Sequence, residues 1–588
     1  MSLSENIVYP PPRNPDDYVF NADNFIYADV RGEAGPTGQR GATGAKGDTG
    51  SQGATGISGI PIGGTSNQIL TKLSSTDYDT VWRSSFTGTT AFLSSYIDAP
   101  TINPFQSQVK IASSAGSTGQ DVNAIAIGNQ AGEINQTANS IAIGMFAGEF
   151  SQGSQAIAIG LSAGQTGQGT NTLAICNGAG QVNQGNQSIA IGALAGQSFQ
   201  QTNALAIGFV AGNTGQSSNT IALGVNAGRD GQGNAGIAIG RDAGLTTQSA
   251  NSVAIGRNAG QTTQSTECVA IGSSAGLLNQ GMRSLSVGAG AGQTNQANNA
   301  VAFGYGAGNN NQGSFAVAIG TDAGRHYQST SAVAIGNSAG FTGQSTWCVA
   351  IGNNAGQTAQ GQRSVAIGLN SGQTSQGVYA TAIGFGSAQT SQGAQGVAIG
   401  YNSGNSTQGV NAVAIGNSSG QTSQSTDSIA IGTQAGGSLQ RANSIAIGFQ
   451  SGFTGQSANS IAIGLNAGQS AQGSASVAIG LSAGTTTQGN NSVALGQSAG
   501  SSNQGAFTVA IGNSAGSSSQ GFGSIAMGSG AAQFSQAGNA VALGISAGNS
   551  SQASDSIAIG NQAGSSLQRA NSIAMGFQSG FTGQGAQS

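Results

Sequence analysis

The chain has 588 residues, of which 101 are Gly, while charged residues make up 6%, aromatics 5% and histidine a single position, His326. Active-site side chains are scarce, and 37% apolar residues point to narrow cores filled by small groups. A formal charge of −4 argues against nucleic acid as a partner, and three scattered cysteines, Cys176, Cys268 and Cys348, argue against a disulfide framework.

Residues 1–31 carry Pro10, Pro11 and Pro12 and then Tyr18, Phe20, Phe25 and Tyr27. A proline run favours extended backbone and the rings offer burial, so this leader is read as disordered or as docking on a particle or coat protein. It has no basic and apolar secretory signal, and the chain has no run of about 18 apolar residues, so membrane insertion is not expected. Residues 32–61 hold ten consecutive Gly-X-Y triplets, from Gly32 to Gly59. Only Gly fits the axis where three chains meet, so the segment predicts a short collagen triple helix and a homotrimer. A flexible Gly/Thr linker is the alternative, but composition alone seldom yields ten unbroken triplets.

Residues 62–104 include GGTSNQILTKLSSTDYDTVW, with Leu70, Tyr78, Val81 and Trp82 to bury. This stretch resembles a module that recurs in phage tail fibres and fibre-like proteins of large DNA viruses, and it is read as a coupling between stalk and shaft. Asp77 and Asp79 lack further ligands and are assigned to turns rather than to a metal.

From residue 105 to 588 a period of sixteen dominates. Gly128, Gly144 and Gly160 begin a column that runs to Gly576, with Cys176 its one exception in 29 positions. A second column runs from Gly132 to Gly580, and a third holds Gln at all 29 positions, including Gln136, Gln152, Gln168, Gln360, Gln376 and Gln584. Before nearly every first-column position stands an apolar–Ala–apolar triplet such as Ile125–Ala126–Ile127. The fold class predicted is all-β, a parallel β-roll or solenoid of about 29 sixteen-residue coils. Each coil has one strand on the apolar triplet, a corner at the positive-φ glycine, and a second strand over residues 131–136. At ~4.8 Å per coil the shaft would measure about 140 Å. Two buried Ile or Val side chains contribute about 3 to 6 kcal/mol per coil. Ordering sixteen backbone residues costs roughly 16 to 32 kcal/mol, so a lone coil cannot fold. The glutamines are expected to form a buried amide ladder, each donating to the next. Small residues such as Ala131, Ala147 and Ala163 are expected to let three rolls approach closely.

The NSIAIG and NSVAIG units, at Asn139–Gly144 and Asn251–Gly256, resemble the head repeats of YadA-type trimeric autotransporter adhesins. The resemblance covers about four fifths of the chain. It implies three parallel β-rolls side by side with a surface that attaches to host matrix or cells. The family's repeat is usually shorter by about two residues, and its secretion signal and membrane anchor have no counterpart here, so the fold is carried over and the export route is not.

No converging nucleophiles, acids or metal ligands are found, so no enzyme activity, cofactor or metal is expected. Arg229, Asp230, Arg241, Asp242 and Arg257 form the densest charged group, read as solvated ion pairs between neighbouring coils. Thr166, Thr214, Thr246, Thr262 and Thr294 belong to a Ser/Thr column reminiscent of ice-binding solenoids, but the position two residues on is always Gln. Phe209, Tyr305, Phe385, Tyr401, Phe449 and Phe577 follow first-column positions and are read as packing across the trimer or as surface contacts. The expected function is a structural fibre at a virion surface or other extracellular location, for display or for attachment to a host-surface protein or glycan. A spore-coat-like cellular filament is the alternative, with an ice-binding solenoid or glycan-cleaving tailspike less favoured. The last unit, residues 571–588, keeps the repeat, and its end is expected to be occupied by another subunit or a tip protein.

Overall fold

A computed structural model describes residues 69–72, 80–83 and 107–588. The chain divides into two compact units, residues 1–88 and 89–588. The leader and the Gly-X-Y segment lie outside the described residues, as do the boundaries assigned at 31, 61 and 104. In the first unit Ile69–Lys72 pairs antiparallel with Thr80–Arg83, setting Leu70 opposite Trp82.

The second unit is an all-β parallel solenoid of sixteen-residue coils. Its long sheet stacks thirty three-residue strands, from Val109–Ile111 to Ile573–Met575. Each pairs in register with the strand sixteen residues on, as Ile125, Ala126 and Ile127 do with Ile141, Ala142 and Ile143. The first strand pairs only forward and the last only backward, so the sheet is an open ladder. Backbone hydrogen bonds also join successive coils around the turns: Ile141 N–H donates to Ala156 O at 2.9 Å, Gly144 N–H to Ile127 O at 2.7 Å and Phe146 N–H to Asn129 O at 3.0 Å.

The facing sheet is shorter and irregular, and it corrects the second strand expected over residues 131–136. Ala131 and Gly132 belong to the turn, and the strand is Ile134–Gln136. Its middle residue, Asn135, is left-handed at φ 58°, so only Ile134 and Gln136 pair with the next coil, at Phe150 and Gln152. The facing sheet breaks into segments of 4, 11, 2 and 4 strands, whereas the long sheet is continuous.

The first-column glycines meet two demands at once. Gly144 sits at φ 126°, and a Cβ there would lie 2.6 Å from the carbonyl oxygen of Gly160. Cys176 keeps a positive φ of 100° in this column and turns its thiol outward.

The interior reverses one expectation. Ala126 is fully buried, while Ile125 and Ile127 on either side are half-exposed, and this pattern recurs along the sheet. The core is therefore a stack of alanines, joined by the glutamines and by Ser140 and its counterparts. The reason is steric: across the interior the turn lies so close to the long strand that a Cβ on Gly276 would come within 3.2 Å of the Ala270 methyl, and along the stack the coils lie so close that a Cβ on Gly256 would meet the carbonyl oxygen of Gly272 at 2.6 Å. The 3 to 6 kcal/mol assigned to buried Ile and Val is not gained inside one coil. Ala131, Ala147 and Ala163 are likewise enclosed within their own coils and cannot form a contact between rolls.

Candidate functional site

The long sheet has two faces because strand side chains alternate. Its inner face is alanine except at Lys110 in the first strand and at Ser286. Its outer face carries the Ile125 and Ile127 columns, which stay apolar from coil to coil except at Thr381. Many of these side chains remain about one-third exposed, Ile271 and Ile319 at 37% each, and Phe303 reaches 51%. Sequence periodicity located these residues but assigned them inward. The neighbouring column turns the aromatic rings outward as well: Phe209, Tyr305, Phe385, Tyr401, Phe449 and Phe577 are all exposed, and Phe385 stacks on Tyr401 with centroids 5.1 Å apart.

The glutamine column lies across the interior. Gln136, Gln152, Gln168, Gln360 and Gln376 are buried, while Gln584, in the last coil, is half-exposed. Each amide nitrogen donates to the strand carbonyl eleven residues earlier, as Gln136 Nε2 does to Ile125 O at 2.8 Å and Gln360 Nε2 to Val349 O at 2.8 Å. The second donor reaches the next rung in many coils, for instance from Gln152 to Gln168 Oε1 at 3.0 Å and from Gln376 to Gln392 Oε1 at 3.1 Å. The amide ladder is thus real but segmented, since Gln152, Gln360 and Gln376 carry side-chain oxygens without a donor. Its constant partner is the strand carbonyl of its own coil.

The polar positions offer little chemistry. Arg229 pairs with Asp230 at 2.8 Å and Arg241 with Asp242 at 3.1 Å, within a coil rather than between neighbouring coils as expected. His326 packs edge-on against Phe341 and contacts Asn310 at 3.2 Å. Its pKa is lowered by partial burial and by the Arg325 charge. Cys268 and Cys348 are buried, donate to Gly281 O at 2.8 Å and Gly361 O at 2.7 Å, and have thiol pKa values raised by burial. Among the described residues no three His, Cys, Asp or Glu side chains gather into a metal site.

Two surface features escaped the sequence reading. The exposed side of the facing sheet carries amide ladders of its own, such as Asn279 to Asn295 to Asn311, with both bonds at 3.0 Å. At the corner before the long strand, a column occupied by Asn139 and Asn251 changes character to Phe315, Trp347, Arg363 and Tyr379. The Arg363 guanidinium carbon lies 4.6 Å from the Trp347 ring centroid and 5.4 Å from that of Tyr379. Both features were legible as sixteen-residue columns outside the Gly and Gln positions. Comparison with family models, curated proteins and solved structures finds no match to the chain.

Proposed function

We propose that the chain is a non-enzymatic fibre subunit, a homotrimer whose long-sheet apolar faces turn toward a common axis, serving display or host attachment at a virion or other extracellular surface. The observation that carries the reading is the continuous, part-exposed Ile/Val/Leu face of the long sheet. At roughly 25 cal/mol per Å², covering the exposed parts of two such side chains contributes on the order of 2 kcal/mol per coil, and the gain repeats along the shaft. A single soluble chain seldom leaves so long an apolar stripe open. The ten Gly-X-Y triplets support three chains, and the resemblance to YadA-type head repeats supports rolls set side by side. The leader then serves as the attachment to a particle or coat protein, and the exposed shaft meets a host-surface protein or glycan.

Sedimentation of the full chain tests the reading. The expected mass is three times 57.1 kDa. A folded β shaft that sediments as one chain at micromolar concentration overturns it.

A further inference from the structure

The corner column that contains Asn139 and Asn251 is left-handed in every coil, with φ near 60°, a conformation Asn tolerates and bulky side chains disfavour. Phe315, Trp347 and Tyr379 nevertheless occupy it at φ 59°, 60° and 60°. They gain little burial in return, being 60%, 49% and 49% exposed. Large rings held in an unfavourable backbone conformation and left in solvent do not serve the stability of their own coil; such outliers point to a contact.

The three rings stand two coils apart, about 9.6 Å at ~4.8 Å per coil. The gap between Trp347 and Tyr379 is filled by Arg363, whose guanidinium carbon lies 4.6 Å and 5.4 Å from the two ring centroids and whose Nη1 donates to the Tyr379 hydroxyl at 2.5 Å. The gap between Phe315 and Trp347 is identical in register, but Ser331 stands where the arginine would be. The filled gap therefore shows the scale of what the open one admits: a flat group held between two aromatic side chains. Around the open gap the side chains are neutral hydroxyls and amides, Asn298, Asn299, Ser314, Thr330 and Thr346, with no carboxylate among them to attract a cation. Aromatic walls with hydroxyl and amide rims suit a sugar ring, whose C–H faces stack and whose hydroxyls bond at the edges.

We infer that the Phe315–Ser331–Trp347 notch binds one pyranose unit of a neutral glycan. The inference goes beyond the fibre reading and needs only the corner of one chain.

The test uses the full chain on an array of neutral oligosaccharides built from glucose, mannose or N-acetylglucosamine, with heparan sulfate, sialyllactose and an arginine-rich peptide as the charged comparison. Calorimetry on the strongest ligand follows, with oligomer mass and melting temperature measured on the same samples. A neutral oligosaccharide should bind once per chain, and Trp347→Asn or Phe315→Asn should weaken it at least tenfold. Because Asn is the residue other coils use here, these variants should keep the melting temperature. Arg363→Ser should open the second gap and raise the stoichiometry from one toward two. Absence of neutral-sugar binding by folded protein overturns the inference, as does binding unaffected by Trp347→Asn, or binding of only the charged probes. Loss of assembly in Trp347→Asn also overturns it, by placing the ring against a neighbouring chain. A trimer that binds no sugar leaves the fibre reading standing, whereas a monomer that binds through this notch removes only that reading.

Discussion

The buried glutamine satisfies two needs that no apolar side chain of its length could meet together. Its methylenes fill the space beside the alanine stack, and its amide nitrogen satisfies an inward-facing strand carbonyl, as Gln376 does for Val365 O at 2.7 Å. Replacing Gln360 and Gln376 together by Glu removes both donors and sets two carboxylates on adjacent rungs, at sites 1% and 3% exposed. An uncompensated buried charge costs on the order of 3 to 5 kcal/mol, so the melting temperature of the double variant should fall clearly at neutral pH. The sign of the pH effect follows from burial, which raises the folded-state pKa of a carboxyl. The variant should recover stability toward and below the ordinary glutamate value of about 4.3 and lose it as pH rises through the raised value. A thermal melt equal to the parent's from acid to neutral pH would contradict the placement of this column.

Within a coil the long strand separates what holds the fold from what faces outward. Ala334 is fully enclosed, and Val333 and Ile335 beside it are half-exposed. Ala334→Leu should overpack the interior and cost about 1 to 3 kcal/mol or more, read as a lower melting temperature. Ile319→Lys, Ile335→Lys and Ile351→Lys combined should spare the single-coil stack and shift the assembly toward single chains in sedimentation. Equal effects from both changes would contradict the division of the strand. The coil length, the corner glycines and the parallel order were legible because each position repeats in nearly every coil. Which side of Ile–Ala–Ile faces in was not legible, since alternation fixes a period of two and not its phase. The usual rule that the larger apolar residue lies inside assumes room across the interior, and here the turn is so near that a Cβ on Gly276 would come within 3.2 Å of the Ala270 methyl. The second strand was misread for a related reason: left-handed residues such as Asn135 and Ser375 break its pleat, yet Asn and Ser also fit an ordinary polar strand face.

For the molecule as a whole, continuity matters more than any one coil. The long sheet runs unbroken through residue 575, while the facing sheet lapses to isolated bridges near Ser198, Thr214, Gln408 and Thr454. The continuous sheet is also the one with the apolar outer face, so in the proposed trimer the unbroken ladder and the contact between chains fall on the same side of the solenoid. The central claim is that this face is covered by neighbouring copies in the native assembly. The most direct test is photochemical carbene footprinting of the native full-length protein, read by mass spectrometry at Val333, Ile335, Val349 and Ile351 on the long sheet and at Asn295 and Ser375 on the facing sheet. The account predicts strong labelling of Asn295 and Ser375 and near-complete protection of the four apolar residues. Labelling of Ile335 and Ile351 in proportion to their exposure in a single chain would contradict it.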